Sequence, residues 1–461
     1  MDKFEGGVVV IGAGLAGCEC ALELAKRGVP VRLYEMRPGA TSPAHKTDHL
    51  AELVCSNSLK ATRADSAAGL LKAEITRLGS TLIGLARQAS VPAGGALAVD
   101  RDVFSGLVEQ AVVAEPLITL VREEVTELPQ EGPVVVAAGP LCSGALAEKI
   151  EGLVGGKKLS FFDAAAPIVD AASLDYDRVF AMSRYDRGPG DDYLNCPMSK
   201  DEYDAFIDEL VGAQKAILRD FERRDLFQAC QPVEEVARTG HDALRFGALK
   251  PVGITDPATG RRPWAVVQLR AENRQRTAFN LVGFQTNLTW SEQARVFRMI
   301  PGLGQAEFFR YGVMHRNTFI DAPACLDETF ALKGCRRIRF AGQITGTEGY
   351  TEAIATGLLA ALHTYADLTG APMPALPVTG ALGSLIGYAT DPATTDYQPM
   401  HVNFGIVPPL DHKGKLSKRD KYKLYAQRAA ADLDAWCAAN AQVLALDPAA
   451  TTELVWGEDG R

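Results

Sequence analysis

Val8-Val9-Val10-Ile11-Gly12-Ala13-Gly14-Leu15-Ala16-Gly17 decides the fold. Four consecutive β-branched residues read as a short buried strand, and the glycines that follow interrupt it before a helical stretch running through Arg27. Gly28-Val29-Pro30 turns the chain, and Val31–Tyr34 forms a second strand that ends at Glu35, eighteen positions after Gly17. A lone G-x-G-x-x-G is weak. A strand before it, a helix after it and an acidic residue closing the next strand make it specific for a dinucleotide. In such a unit Gly12 permits the tight turn, Gly14 lets a pyrophosphate approach the backbone, and Gly17 lets helix and strand pack closely. The helix start meets the diphosphate with free N–H groups, and Glu35 accepts from the adenosine ribose hydroxyls.

A second glycine unit stands far down the chain, at Phe340-Ala341-Gly342-Gln343-Ile344-Thr345-Gly346-Thr347-Glu348-Gly349-Tyr350. It follows a strand-like run at Arg337–Ala341 and leads into a helix of small residues. Closure of the site late in the chain favours FAD over NAD. No second strand–glycine–acid unit is present for a nicotinamide, because Gly380–Gly387 lacks both the strand and the spacing. The cofactor-side candidates are Gly12, Ala13, Gly14, Leu15, Ala16, Gly17, Glu35, Arg37, Gly342, Gln343, Gly349 and Thr351. The expected fold is α/β: a Rossmann-type FAD-binding domain, glutathione-reductase-like, interrupted by an α+β insertion domain. The expected division is 1–152 and 326–400 for the FAD domain, 153–325 for the insertion, and 401–461 for a basic helical C-terminal segment, its helix over Asp411–Asn440.

Composition narrows the function. The 461 residues are 47% apolar and 23% charged, ordinary for a globular protein. A net charge of −9 means that any nucleic acid must be held by a local basic patch. Between His412 and Arg428 stand Lys413, Lys415, Lys418, Arg419, Lys421 and Lys423, with Tyr422 and Tyr425 interleaved. Phosphate binding and a solvated helix face explain this run equally well. Arg261, Arg262, Arg270, Arg274 and Arg276 form a second basic stretch. The nine cysteines show no C-x-x-C spacing and no metal set is expected, so the thiols read as reduced. The charged start does not resemble a signal peptide and no apolar run is long enough to span a bilayer, which together predict a cytoplasmic protein. Cys55, in Val54-Cys55-Ser56-Asn57-Ser58-Leu59-Lys60, and Cys230, in Ala229-Cys230-Gln231-Pro232, stand in polar or basic surroundings suited to a thiolate. An isolated cysteine is still more often a plain buried residue.

Taken together, Gly12–Gly17, Ala51–Lys60, Val99–Asp102, Cys230–Glu235, Leu244–Gly253, Met314–Ile320 and Phe340–Glu352 resemble one family over nearly the whole chain. It is the folate- and FAD-dependent tRNA (uracil-5-)-methyltransferase family of the TrmFO type. The second glycine unit is shared with a larger relative that modifies wobble uridines. The resemblance implies that 5,10-methylenetetrahydrofolate supplies one carbon to C5 of the T-loop uridine of tRNA, at the elbow, with reducing equivalents passing from NAD(P)H through FAD. It implies Cys230 as the nucleophile at C6, Cys55 near the flavin, and His315 and Tyr350 as stacking partners of the pterin. Lys413, Lys418 and Arg419 are the candidate RNA contacts. No metal is implied. The alternatives are the same chemistry on an rRNA uridine, a flavin-dependent dehydrogenase of a small metabolite, and a non-catalytic FAD-stabilised RNA-binding protein.

Overall fold

The computed structural model describes residues 6–42, 44–155, 158–186, 190–216, 231–371, 373–394, 397–412 and 414–446. Val8–Ile11 lies in a six-stranded sheet ordered 331–332, 335–340, 134–136, 8–11, 31–34, 118–121. All pairings are parallel except that of the edge strand 331–332. A parallel sheet is covered on both faces, so its central strands read as continuous apolar runs; Val134, Val135 and Val136 are all buried. The strand Cys335–Phe340 pairs with Val134–Val136, so the chain returns to its first sheet after an excursion of about two hundred residues.

That excursion leaves and re-enters through a two-stranded antiparallel ribbon, Lys158–Ala164 against Met314–Ile320. Between the two ribbon strands a second sheet forms, antiparallel throughout and ordered 180–181, 193–198, 265–271, 278–281, 168–170, 308–310. Its own core holds Tyr203, Phe206, Ile207 and Leu210 from the helix Lys200–Gly212, and Phe284 edge-on to Phe297 at 5.4 Å. Ser199 and Glu202 start that helix with a reciprocal capping box. The α/β reading and the Rossmann-type unit are as the sequence predicts.

Helical structure expected from Asp411 begins instead at Lys418 and runs to Leu444, capped by the Ser417 hydroxyl. Ala426, Ala429, Leu433, Trp436, Cys437 and Leu444 seat this helix in the core of the first sheet. Among the described residues no helix is long and apolar enough to cross a membrane, and no group of three metal-ligating side chains comes together.

Candidate active site

A cleft of about 970 Å³, open solvent included, lies at the carboxyl ends of the parallel strands. It is lined by Ile11–Ala16, Tyr34–Arg37, Ala137–Ser143, Gly342, Gln343 and Tyr350, among others. This is the topological switch point, where doubly wound sheets bind ligands.

The three glycines have different physical reasons. Gly12 is in the left-handed region (φ +101°), and a Cβ there would lie 2.5 Å from the Ala137 carbonyl oxygen. At Gly17 a Cβ would lie 1.7 Å from the Gly12 oxygen, so this glycine serves packing and does not line the cleft. A Cβ on Gly14 would meet nothing within 4 Å, and Gly14 lines the cleft. Gly14 caps the helix Leu15–Lys26 without any side-chain hydrogen bond, whereas Ser66, Ser80, Asp100, Ser143, Ser199, Thr289 and Ser417 each cap theirs with a side chain. The residues of this helix start line the cleft, and its N–H groups carry a partial positive charge. These residues fit a dinucleotide.

Glu35 lines the cleft and is buried. It accepts from the Ala13 N–H at 3.3 Å and from the Arg37 backbone N–H and Nε at 3.1 and 2.8 Å. Burial raises its carboxyl, but the hydrogen bonds and charge of Arg37 outweigh burial and hold it below the usual range. Arg37 also donates to the Thr47 carbonyl and to Glu52, both at 3.0 Å. It therefore orients Glu35 as much as it walls the cleft.

At the second glycine unit, Gly342 (φ +83°) donates its N–H to Thr356 Oγ1 at 2.8 Å, and Gln343 Nε2 donates to Glu348 at 2.8 Å. Gly349 precedes the helix Tyr350–Thr369. That helix crosses the first one so closely that a Cβ on Gly357 would lie 2.2 Å from the Ala16 oxygen. Gly342, Gln343 and Tyr350 line the cleft; Gly349 and Thr351 do not. Thr351 is buried and donates to the Leu59 carbonyl at 3.3 Å.

Cys55 sits beside this helix start. Its N–H and that of Ser56 both donate to the Tyr350 hydroxyl oxygen, at 2.8 and 3.1 Å. Val54, its neighbour, lines the cleft, and the thiol donates weakly to the Ala164 carbonyl at 3.6 Å. Tyr350 therefore has a hydrogen-bonding role that reading its ring as a stacking surface does not include. Burial pushes its hydroxyl up. Sequence reasoning also missed three arginines around this loop. Arg101 donates to the Leu53 and Cys55 carbonyls and pairs with Glu272. Arg310 donates to the Val54 carbonyl, and Arg270 to Ser56 and Asn57. The only available signals were the presence of Arg101 in the Val99–Asp102 segment and of Arg270 in the second basic stretch.

That stretch is not one surface patch. Arg270 is buried, Arg274 donates to the Gln88 and Ser90 carbonyls, and Arg276 pairs with Asp191. In the C-terminal helix Lys418, Arg419 and Lys421 are exposed. Tyr425 is buried and stacked on Phe404 at 5.3 Å, and Arg428 donates to the Pro408 and Pro409 carbonyls. Cys230 and Lys413 lie outside the described residues, as does the His315 side chain. The His315 backbone pairs with Asp163 in the ribbon. The structure thus brings Tyr350 and the glycine cradle together around one cleft, with the Cys55 backbone tied to Tyr350 beside it.

Comparison with known proteins agrees with this geometry. The family model described as Glucose inhibited division protein A matches residues 7–372. The protein named methylenetetrahydrofolate--tRNA-(uracil-5-)-methyltransferase TrmFO from Geobacter sulfurreducens is 56% identical over 433 residues, covering 94% of this chain and 99% of its own. The protein of the same name from Moorella thermoacetica is 51% identical over 93% of this chain and 97% of its own. In fold, the chain is similar to the crystal structure of Aquifex aeolicus GidA, with a TM-score of 0.69 at 16% identity over 98% of this chain and 75% of that one. The Rossmann-type flavoprotein fold is therefore shared with GidA, and the chain belongs to the TrmFO family within the wider group of Glucose inhibited division protein A relatives.

Proposed function

We propose that this protein is a cytoplasmic enzyme that methylates C5 of the T-loop uridine at position 54 of tRNA, using 5,10-methylenetetrahydrofolate, FAD and NAD(P)H. One observation carries the reading: the flavin-type cleft and the Cys55 loop meet at Tyr350, which lines the cleft and whose hydroxyl holds the loop. The names of the relatives support the same reaction.

In this reading residues 1–152 and 326–400 hold FAD, 153–325 faces the RNA, and 401–461 adds basic contacts. FAD, when bound, supplies reducing equivalents and carries the one-carbon unit. The Gly12–Gly17 turn binds its diphosphate, with Glu35 at the ribose, while Gly342 and Gln343 close the far side. NAD(P)H, with no Rossmann unit of its own in the reading, visits the cleft transiently. His315 and Tyr350 flank the pterin.

C5 of uracil is a poor nucleophile, and thiolate addition at C6 makes it enolate-like. Cys230 is assigned that addition on the resemblance, and Cys55 works on the flavin side. The uridine leaves its stack at a cost of a few kcal/mol, offset by backbone contacts from Lys413, Lys418 and Arg419. The test is a pair of variants. Cys230→Ala is expected to bind FAD and tRNA, form no 5-methyluridine, and fail to trap tRNA carrying 5-fluorouridine. Cys55→Ala is expected to lose turnover while still adding at C6. The opposite trapping pattern would exchange the two roles.

A further inference from the structure

The segment Leu53–Asn57 has no regular secondary structure, yet an acceptor on every one of its residues is taken by an arginine. Arg101 serves the Leu53 and Cys55 carbonyls, the latter at 3.2 Å. Arg310 Nη2 serves the Val54 carbonyl at 2.6 Å. Arg270 serves Ser56 Oγ at 3.0 Å and Asn57 Oδ1 at 2.8 Å. Asn57 passes the tie onward, donating to the Val99 and Ala271 carbonyls at 3.0 Å each. Two residues near the ends of this segment, Ala51 (φ +51°) and Lys60 (φ +65°), occupy the left-handed region that side chains disfavour. Strain of this kind persists only where the surroundings over-determine it, and it concentrates at functional sites.

The origin of the ties matters more than their number. Arg270 and Arg310 are on two strands of the insertion sheet, 265–271 and 308–310, and Glu272 follows the first of them. Arg101 starts a helix of the cofactor side and is paired with Glu272. Neither Arg270 nor Arg310 has a carboxylate within ion-pair distance among the described residues, and the Arg310 Nε–H has no acceptor. Arg270 is buried and Arg310 partly so; a guanidinium withdrawn from water without an ion-pair partner costs stability, so packing alone does not account for the pair.

We propose that Arg270 and Arg310, with Arg101, are positioning residues for Cys55, so that the insertion sheet sets the placement of the thiol beside the cofactor cleft. The assignment of work to Cys55 rests on the function proposed above; its placement by the three arginines does not. Contacts made to the insertion sheet by a substrate would thereby reach Cys55 through two side chains, with no movement of the glycine cradle.

The clasp has a testable asymmetry. Arg310 supplies one donor to one carbonyl, which a lysine ammonium can replace. Arg101 spans two carbonyls and a carboxylate, and Arg270 two side chains; a lysine cannot reproduce either fork. The experiment follows iodoacetamide labelling of the flavin-loaded full chain, resolved by peptide in a mass spectrometer. Cys196, fully buried in the core of the insertion sheet, serves as the internal reference. Loss of a charged hydrogen bond should speed Cys55 labelling by roughly tenfold in Arg310→Ala, with Cys196 still protected. Arg310→Lys should return close to the parent rate, while Arg101→Lys and Arg270→Lys should not. In turnover, kcat should fall with little change in KM for RNA or folate, and the same lysine should rescue it. Where an alanine variant does not fold, the lysine variants decide alone. Equal behaviour of Arg310→Lys and Arg101→Lys, or Cys196 labelling that rises in step with Cys55, would overturn the proposal. An enzyme that proves inactive on RNA yet shows the labelling pattern would keep the clasp and discard the assigned reaction.

Discussion

Two glycine-led helices begin in similar words, Gly12-Ala13-Gly14-Leu15-Ala16-Gly17 and Gly380-Ala381-Leu382-Gly383, and their starts are treated in opposite ways. Neither has a capping side chain of its own. At the second, the buried carboxylate of Glu74 accepts from the Ala381 and Leu382 N–H groups, both at 2.8 Å. At the first, Gly14, Leu15 and Ala16 line the cleft. Every helix start attracts an anion. The protein supplies its own acceptor at the second start and leaves the first uncapped along the cleft. A sequence motif alone does not separate the two, because the deciding residue is hundreds of positions away.

The largest effect expected from breaking this contrast is at Gly17. A Cβ there collides with the Gly12 oxygen at 1.7 Å. Gly17→Ala should therefore destabilise the fold by several kcal/mol, in the range of backbone strain plus overpacking at ~1–3 kcal/mol each. Denaturant melts check this. Gly14→Val should show the reverse: a normal melt of the apoprotein and loss of bound FAD, read from flavin absorbance after desalting. A Gly14→Val protein that keeps its full yellow colour would mean that the diphosphate binds elsewhere.

Glu74→Ala should cost about 1–3 kcal/mol, since two buried N–H groups lose their acceptor, without loss of flavin. Burial pushes the Glu74 carboxyl up to about 7 despite the two N–H donors. The folded state therefore holds a proton that the unfolded chain has already released, and stability declines as pH rises between the ordinary carboxyl value near 4.5 and about 7. Removing the carboxyl in Glu74→Gln should flatten that part of the Tm–pH curve. A slope unchanged by the substitution would show that the carboxyl does not carry the proton.

The smallest effect is expected at the surface. Neutralising Lys418, Arg419 and Lys421 should make the logarithmic salt dependence of tRNA binding shallower, by up to ~0.9 for each phosphate that the helix no longer neutralises. An unchanged slope would identify the exposed start of that helix as a solvated face.

What was legible in the sequence follows the same division. The glycine cradle could be read because its requirements are backbone requirements, met within a few residues of one another: a turn at Gly12, an approach at Gly14, a packed helix at Gly17. The return of Cys335–Phe340 to the first sheet was visible as a strand–glycine–helix pattern. The surroundings of Cys55 were not visible. They depend on Arg101, Arg270, Arg310 and Tyr350, which converge from separate strands and helices and carry no local pattern. The C-terminal helix differs from its expected start for a related reason. Basic composition suggests a helix from Asp411, but the Ser417 hydroxyl, which accepts from the Asp420 N–H at 3.1 Å, sets the boundary at Lys418.

The origin of the transferred carbon decides whether the cleft and the Cys55 loop serve the proposed reaction. Purified protein loaded with FAD can be given NADPH, an unmodified tRNA transcript, and methylenetetrahydrofolate labelled in its methylene carbon, and the digested RNA mapped by mass spectrometry. Label is expected in 5-methyluridine at the T-loop, and none there when the folate is omitted. Label absent from that nucleoside, or a methyl group that enters from S-adenosylmethionine instead, would contradict the proposed methylation.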